Sequence, residues 1–252
     1  MTSQQMQDIK QAIVVALKEN KSPNEMASKI CLPEDTIIEG DILLEKDARI
    51  AALSFLPSLF KAIDPQWKCN ILSKEGTASL KGTIPNRMKR KDRSILAGKK
   101  TSLNLLQNAC SIATPTSKYI NEVKGYNYAI FDAHKTIPTV RTLAKYAVNL
   151  GAGEHQSFNL EKPFLIKKNH SQLLKKSGKH PNSKIEMEVD SMSTDTMKVC
   201  PRRNNAKAYL ASSGETNKKK LKAITQTCLG EVSIKSLTHS APATDLDLKV
   251  IT

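Results

Sequence analysis

Aromatic residues make up only 4% of this 252-residue chain, with one tryptophan, so its core must be built from Leu, Ile, Val and Ala. No aromatic RNA-binding motif interleaves with its basic clusters, and no zinc-finger spacing is present. The five cysteines (Cys31, Cys69, Cys110, Cys200, Cys228) are odd in number and never spaced Cys-x-x-Cys. That argues against a disulfide framework and for free, mostly buried thiols in a reducing compartment. No apolar run approaches the ~20 residues that span a bilayer. The amphipathic start, "MTSQQMQDIKQAIVVALKEN", carries acids and makes a poor signal peptide, so the expected location is the cytoplasm, without a membrane partner. His134, His155 and His170 lack His-x-x-x-His spacing, so zinc is not expected, and no residue is singled out as a metal ligand. There is no repeat and no low-complexity tract.

Acids are the scarcer charge: 24 Asp and Glu face 39 Lys and Arg, for a formal net charge of +15. The excess is spread along the chain, with clusters at Lys89–Lys91, Lys167–Lys168 and Lys218–Lys220. Solvated lysine faces explain most of it, and a pocket for a polyanionic small molecule explains part. Nucleic-acid binding is the least favoured reading.

A hydrophobic fraction of 39% marks a globular chain, long enough for one α/β barrel or two modest domains. Met6, Ile9, Ile13, Ala16 and Leu17 recur at helical spacing. Ser22 and Glu25 suggest a capping box, with Pro23 opening a second helix. "GDILL" and "ARIAALSF" read as strands and "PSLFKAIDP" as a short helix; "WKCNILSKEG" and "TASLKGTI" read as strands around a turn at Gly76. The basic piece "PNRMKRKDRS" interrupts. A long helix follows, with Leu103, Leu106, Ala109 and Cys110 on one face.

From Tyr126 onward the rhythm is strand, helix, strand, helix. "YNYAIFD", "PFLIKKNH", "KIEMEV", "AKAYLASSG" and "EVSIKSLTHS" read as strands. "PTVRTLAKYAVNLG" reads as a helix stopped by Gly151, and "SQLLKKSGKH" and "NKKKLKAITQTC" as further helices. Such alternation builds a parallel sheet or a barrel. Polar residues cluster where the strands end, at Asp132–Lys135, Lys167–His170, Glu188, Ser212–Gly214 and Ser233–Lys235. The C-terminal strand ends of a barrel share one mouth, and that mouth carries the chemistry.

In their order, "EGDI", "AIDP", "TSLNLLQNACSIAT", "FDAHKTIPTVRTLAKYAVNLGAGE", "FLIKKNH", "IEMEVDS", "LASSG" and "LTHSAPATDLDL" resemble the quinolinate phosphoribosyltransferase family, the carboxylating nicotinate-nucleotide pyrophosphorylases. The resemblance implies an α/β fold: an N-terminal open α/β sandwich over residues 1–105, then an incomplete TIM-like α/β barrel over 106–252. It also implies a homodimer or higher homo-oligomer in which one subunit's sandwich closes the partner's barrel. The family reaction joins quinolinate to phosphoribosyl pyrophosphate, with Mg²⁺, and releases pyrophosphate and carbon dioxide. Two polyanionic substrates ask for a cationic, dehydrated pocket.

Carried over by position, the resemblance makes Lys135, Lys167 and Glu188 catalytic, with Glu188 facing the ribose. It gives substrate binding to Lys100, Ala133, His134, Ser157, Ser212, Ser213, Gly214, Ser233, Ile234 and Lys235 as well. Several positions depart from the family pattern. His134 stands in place of an arginine, and an imidazole cannot clamp a carboxylate with two parallel donors. Lys100 and Ser157 also replace arginines, Lys168 replaces an aspartate, and Lys235 replaces a glycine of the second phosphate loop. Only "DSMSTDTMKVCPRRNNAK" separates the Glu188 strand from "AYLASSG", so a family strand ending in aspartate looks to be missing. Two readings stay open: an active transferase with an altered pocket, or a degenerate relative serving as a binding or assembly subunit.

Overall fold

The computed structural model describes residues 1–33, 36–68, 70–126, 128–133, 135–155, 165–166, 173, 185–190, 208–214, 218–226 and 231–251. They form two compact units. The first comprises Met1–Pro115, Ile137–Gly151 and Ala241–Thr252; the second comprises Thr116–Thr136 and Ala152–Ser240.

The first unit opens with α1 (Ser3–Glu19). Thr2 caps it in a capping box: its hydroxyl accepts from Gln5 N at 3.2 Å while the Gln5 side chain accepts from Thr2 N at 2.8 Å. Ile9, Ala12, Ile13 and Leu17 are its buried face. The second helix, α2 (Met26–Cys31), starts later than the sequence suggests. Ser22–Asn24 form a 3₁₀ turn, and Glu25 is the cap, its carboxylate accepting from Ala27 N and Ser28 N. A carboxylate satisfies two free amides and complements the helix dipole, which one hydroxyl cannot match.

The sheet of this unit runs β11 (Leu246–Ile251), β1 (Ile37–Leu44), β5 (Asn86–Lys91), β3 (Asn70–Ile71), all antiparallel neighbours. The basic piece read as an interruption is therefore a strand. Its charges alternate: Arg87 meets Asp41 through two 2.7 Å hydrogen bonds and Lys89 meets Glu39 at 2.6 Å, while Met88 between them is buried. Cross-strand pairing lets a charge-rich segment hold a place that its propensities alone would not give it. The opposite face, with Ile42, Leu44, Met88, Leu246 and Leu248, packs on one core with α1, α3 (Leu56–Lys61), α4 (Asp92–Glu122) and α5 (Arg141–Leu150).

Two other readings change. "ARIAALSF" pairs only at β2 (Ala48–Arg49), against β4 (Ala78–Ser79), because Ala52 is left-handed (φ 70°) and turns the chain into a 3₁₀ segment at Leu53–Phe55. The segments flanking Gly76 do not pair with each other: β3 joins β5 and β4 joins β2. Helix α4 passes through Pro115, the last residue of the first unit's long opening segment. Phe60 stacks on Trp67 with ring centres 4.2 Å apart, and the Cys110 thiol lies between Ala51 N and O.

The second unit is a five-stranded parallel sheet in the order β6 (Ala129–Phe131), β10 (Glu231–Ile234), β9 (Ala208–Gly214), β8 (Ile185–Asp190), β7 (Leu165–Ile166). Glu154 bridges the other side of β6. Ile130, Val232 and Ile234 are buried with Leu221 and Ile224 of α6 (Lys218–Ile224), Leu237 of α7 (Ser236–His239) and Val123. The segment read as one strand, "EVSIKSLTHS", thus splits into β10 and α7 after Ile234. Among the described residues no helix is long and apolar enough to cross a membrane.

Candidate functional site

Parallel strands bring their carboxyl ends to one edge, and register decides which residues line up there. Phe131, Ser233, Ser213 and Asp190 form one row across β6, β10, β9 and β8. Glu188 falls two residues before Asp190, in register with Ala211. Ile130 and Val232 pair in the preceding row and belong to the helix-covered core. Strand alternation therefore puts Phe131 and Ser233 on the other face.

The chain leaving β6 is firmly held. Asp132 N donates to Glu154 O at 3.0 Å, and Glu154 N donates to Ile130 O at 2.8 Å. Ser233 Oγ donates to Asp132 O at 3.0 Å, and Thr238 Oγ1 donates to Lys135 O at 2.5 Å. Asp132 and Ala133 are buried, whereas Lys135 is exposed. Among the described residues no carboxylate forms an ion pair with the Lys135 ammonium. A cation held by its main chain and free at its tip is available to an anionic ligand.

The other residues singled out from sequence fall as follows. Glu188 lies on β8, and Ser212, Ser213 and Gly214 close β9. Ser233 and Ile234 are buried on β10; the Ser233 hydroxyl is committed to the Asp132 carbonyl, so what this position offers outward is backbone. Lys235 follows at the start of α7. Lys100 is exposed on α4 in the first unit, where it lines a cavity of about 300 Å³ with Asn20, Thr101, Asn104 and Asn108. His134, Ser157 and Lys167 lie outside the described residues. Asp190 and Thr238 were not singled out. Asp190 could have been found from the alternation of "EMEVD", which puts three acids two residues apart; nothing in the sequence marks the bond from Thr238 to residue 135.

Strands β8 and β9 pair directly over six consecutive residues, from Ile185↔Ala208 to Asp190↔Ser213. No strand stands between them.

Residues 112–191 match the family model described as quinolinate phosphoribosyl transferase, C-terminal domain. A probable nicotinate-nucleotide pyrophosphorylase [carboxylating] of Synechocystis is 27% identical over 234 residues, covering 80% of this chain and 79% of that protein. A protein of the same description from Bacillus subtilis is 24% identical over 240 residues, covering 84% and 83%. The crystal structure of nicotinate-nucleotide pyrophosphorylase from Ehrlichia chaffeensis superposes with a TM-score of 0.86 at 23% identity, over 100% of this chain and 99% of that one. The fold is α/β, an N-terminal α/β sandwich followed by a TIM-like barrel.

Proposed function

We propose that this chain, which belongs to the quinolinate phosphoribosyltransferase family, joins quinolinate to phosphoribosyl pyrophosphate and so forms nicotinate mononucleotide for NAD biosynthesis. The observation that carries the reading is Lys135: an ammonium with no ion-pair partner among the described residues, at the carboxyl end of a parallel strand, on a loop tied down at both ends. The quinolinate nitrogen attacks ribose C1, the bond from C1 to pyrophosphate breaks, and the bond to the 2-carboxylate then breaks to release carbon dioxide. The electron pair stays on the ring carbon, next to the positive nitrogen, until a proton arrives. Lys135 neutralises an anionic group of the bound substrates. Glu188, on β8, is the proposed carboxylate facing the positive charge that grows at ribose C1. Lys167 and the strand ends at Ser212–Gly214 and Ser233–Lys235 complete the proposed lining.

Mg²⁺ arrives with phosphoribosyl pyrophosphate. Among the described residues no cluster of three His, Cys, Asp or Glu could hold a metal by itself. The donor chemistry still fits: Mg²⁺ takes one or two carboxylates and fills its shell with water and phosphate oxygens. Glu188 and Asp190, at alternate residues of β8, are the carboxylates that would contribute. Bound there, the ion would neutralise charge on the departing pyrophosphate.

The working form is proposed as a homodimer in the cytoplasm, with Lys100 of each sandwich serving the partner's pocket. Calorimetric titration with quinolinate, and with phosphoribosyl pyrophosphate plus Mg²⁺, tests the proposal together with an assay for released carbon dioxide. Binding of both substrates with gas release is expected. The direct β8–β9 pairing favours a second reading, a degenerate relative without turnover that serves as a binding or assembly subunit for something other than these substrates, because it leaves no place for the aspartate-bearing strand. Silence to both ligands supports that reading. Introducing His134→Arg and Ser157→Arg should tighten quinolinate binding; no gain would show that these positions are not the family's clamps.

A further inference from the structure

The loop leaving β6 is held from one neighbouring segment, at two points. Ser233 holds the carbonyl of its first residue, Asp132; Thr238 holds the carbonyl of Lys135, at 2.5 Å. These hydroxyl residues are 1% and 6% exposed, so water competes poorly for either bond. The side chain of Lys135 is exposed and has no ion-pair partner among the described residues. Four methylenes separate its charge from the backbone, and no carboxylate of the described residues steers it. The main chain at Lys135 is therefore the anchor that sets where the ammonium can reach. Threonine suits such a hold, because branching at Cβ restricts its χ1 rotamers.

We propose that Thr238 is a positioning residue: by donating to the Lys135 carbonyl it sets the height of Lys135 at the carboxyl edge of the sheet, and through Lys135 it governs binding of the anionic substrate. The inference rests on the phosphoribosyl-transfer reading for its effect on rate, though not for its effect on the loop. Thr238→Val keeps the branched shape and removes only the donor. Thr238→Ser keeps the donor.

The test uses the full chain, steady-state kinetics with both substrates, and deuterium uptake of the peptide covering residues 132–136. Thr238→Val is expected to lower kcat/KM by ~10- to 100-fold, the range for a small misplacement of a reacting group. Thr238→Ser should restore it to within about 3-fold, and a valine at Thr142, a threonine bonded elsewhere to Asp8, should leave it unchanged. In a Lys135→Met background, Thr238→Val should add no further loss, because the group it positions is gone. Uptake over 132–136 should rise with Thr238→Val and return with Thr238→Ser. Wild-type kinetics in Thr238→Val, failure of the serine to rescue, or a full further loss on Lys135→Met would each overturn the proposal. If the wild-type chain releases no carbon dioxide, the functional reading fails by itself. Deuterium uptake then decides the role of Thr238, and an unchanged value in Thr238→Val overturns it.

Discussion

Gly98 sits on α4 directly against the ring of Phe60. A Cβ built there would lie 2.8 Å from Cδ1 and 3.0 Å from Cζ, and closer still to Cε1. Carbon atoms rest at about 3.5–4.0 Å, so the ring or the helix would have to retreat by on the order of 1 Å. Phe60 is fully buried and stacked on Trp67 at an interplanar angle of 12°, which leaves it little room. Two effects compete in Gly98→Ala. Helix propensity favours alanine by about 1 kcal/mol. Overpacking of this severity costs about 3 kcal/mol, the upper end of the usual range. The net expectation is a loss of about 2 kcal/mol, against the ordinary sign for a glycine-to-alanine change inside a helix. Trp67, the sole tryptophan and the stacking partner of Phe60, gives the fluorescence signal for a urea titration. With a slope of about 2 kcal/mol/M the midpoint should drop by roughly 1 M. In a Phe60→Ala background the clash is absent, and Gly98→Ala should turn stabilising by about 1 kcal/mol, a coupling of about 3 kcal/mol between the sites. An unchanged or raised midpoint for Gly98→Ala in the wild-type background would refute the packing argument.

Burial pushes the Cys110 thiol up to about 11, and burial together with the Glu75 carboxylate pushes the Tyr146 hydroxyl up to about 12. Both folded values exceed the ordinary ones, so their contribution is complete below pH 9 and is lost as the pH rises through 11 and 12. The urea midpoint should fall in that window; for Cys110 the loss is on the order of 2–3 kcal/mol, and Cys110→Ala should remove that portion. At pH 8 a thiol reagent should label exposed Cys31 readily and Cys110 only after unfolding. Ser111→Ala leaves the buried amide of Thr244, now bonded to Ser111 Oγ at 2.7 Å, without an acceptor. A loss of about 1–3 kcal/mol in urea unfolding is expected. Thr139 and Ala152 have φ of 69° and 66°, a region that favours glycine. Thr139→Gly and Ala152→Gly should each raise the thermal midpoint slightly, by about 0.5 kcal/mol of stability, since relief of strain exceeds the entropy glycine adds to the unfolded chain.

Periodicity made α1, α4 and α5 legible, because each buries residues at the helical repeat; β8 and β9 were legible from short apolar runs between turn signals. Strand β5 was hidden, since the signal there is charge complementarity with β1, and the partners Asp41 and Glu39 lie more than forty residues away. Helix α5 ends at Leu150 with Gly151 as its cap, as the glycine suggests, while the left-handed residue that turns the chain is the next one, Ala152. Strand β11 was likewise unmarked, although Leu246 and Leu248 alternate; a six-residue segment gives few periods to detect. At the candidate site, the strand-end position of Lys135 followed from the alternating rhythm and from family motifs. The hydroxyls that fix its loop did not, because a side-chain bond to a main-chain carbonyl leaves no trace in residue type or spacing.

Strand β1 finds its outer neighbour about two hundred positions further along, at Leu246–Ile251. A ribosome delivers these partners in order, so the edge of β1 stands open while everything between is made. Completion of the amino-terminal layer must therefore wait for translation to reach that distant segment. Shortening the chain by those six residues would injure the part of the protein synthesised first.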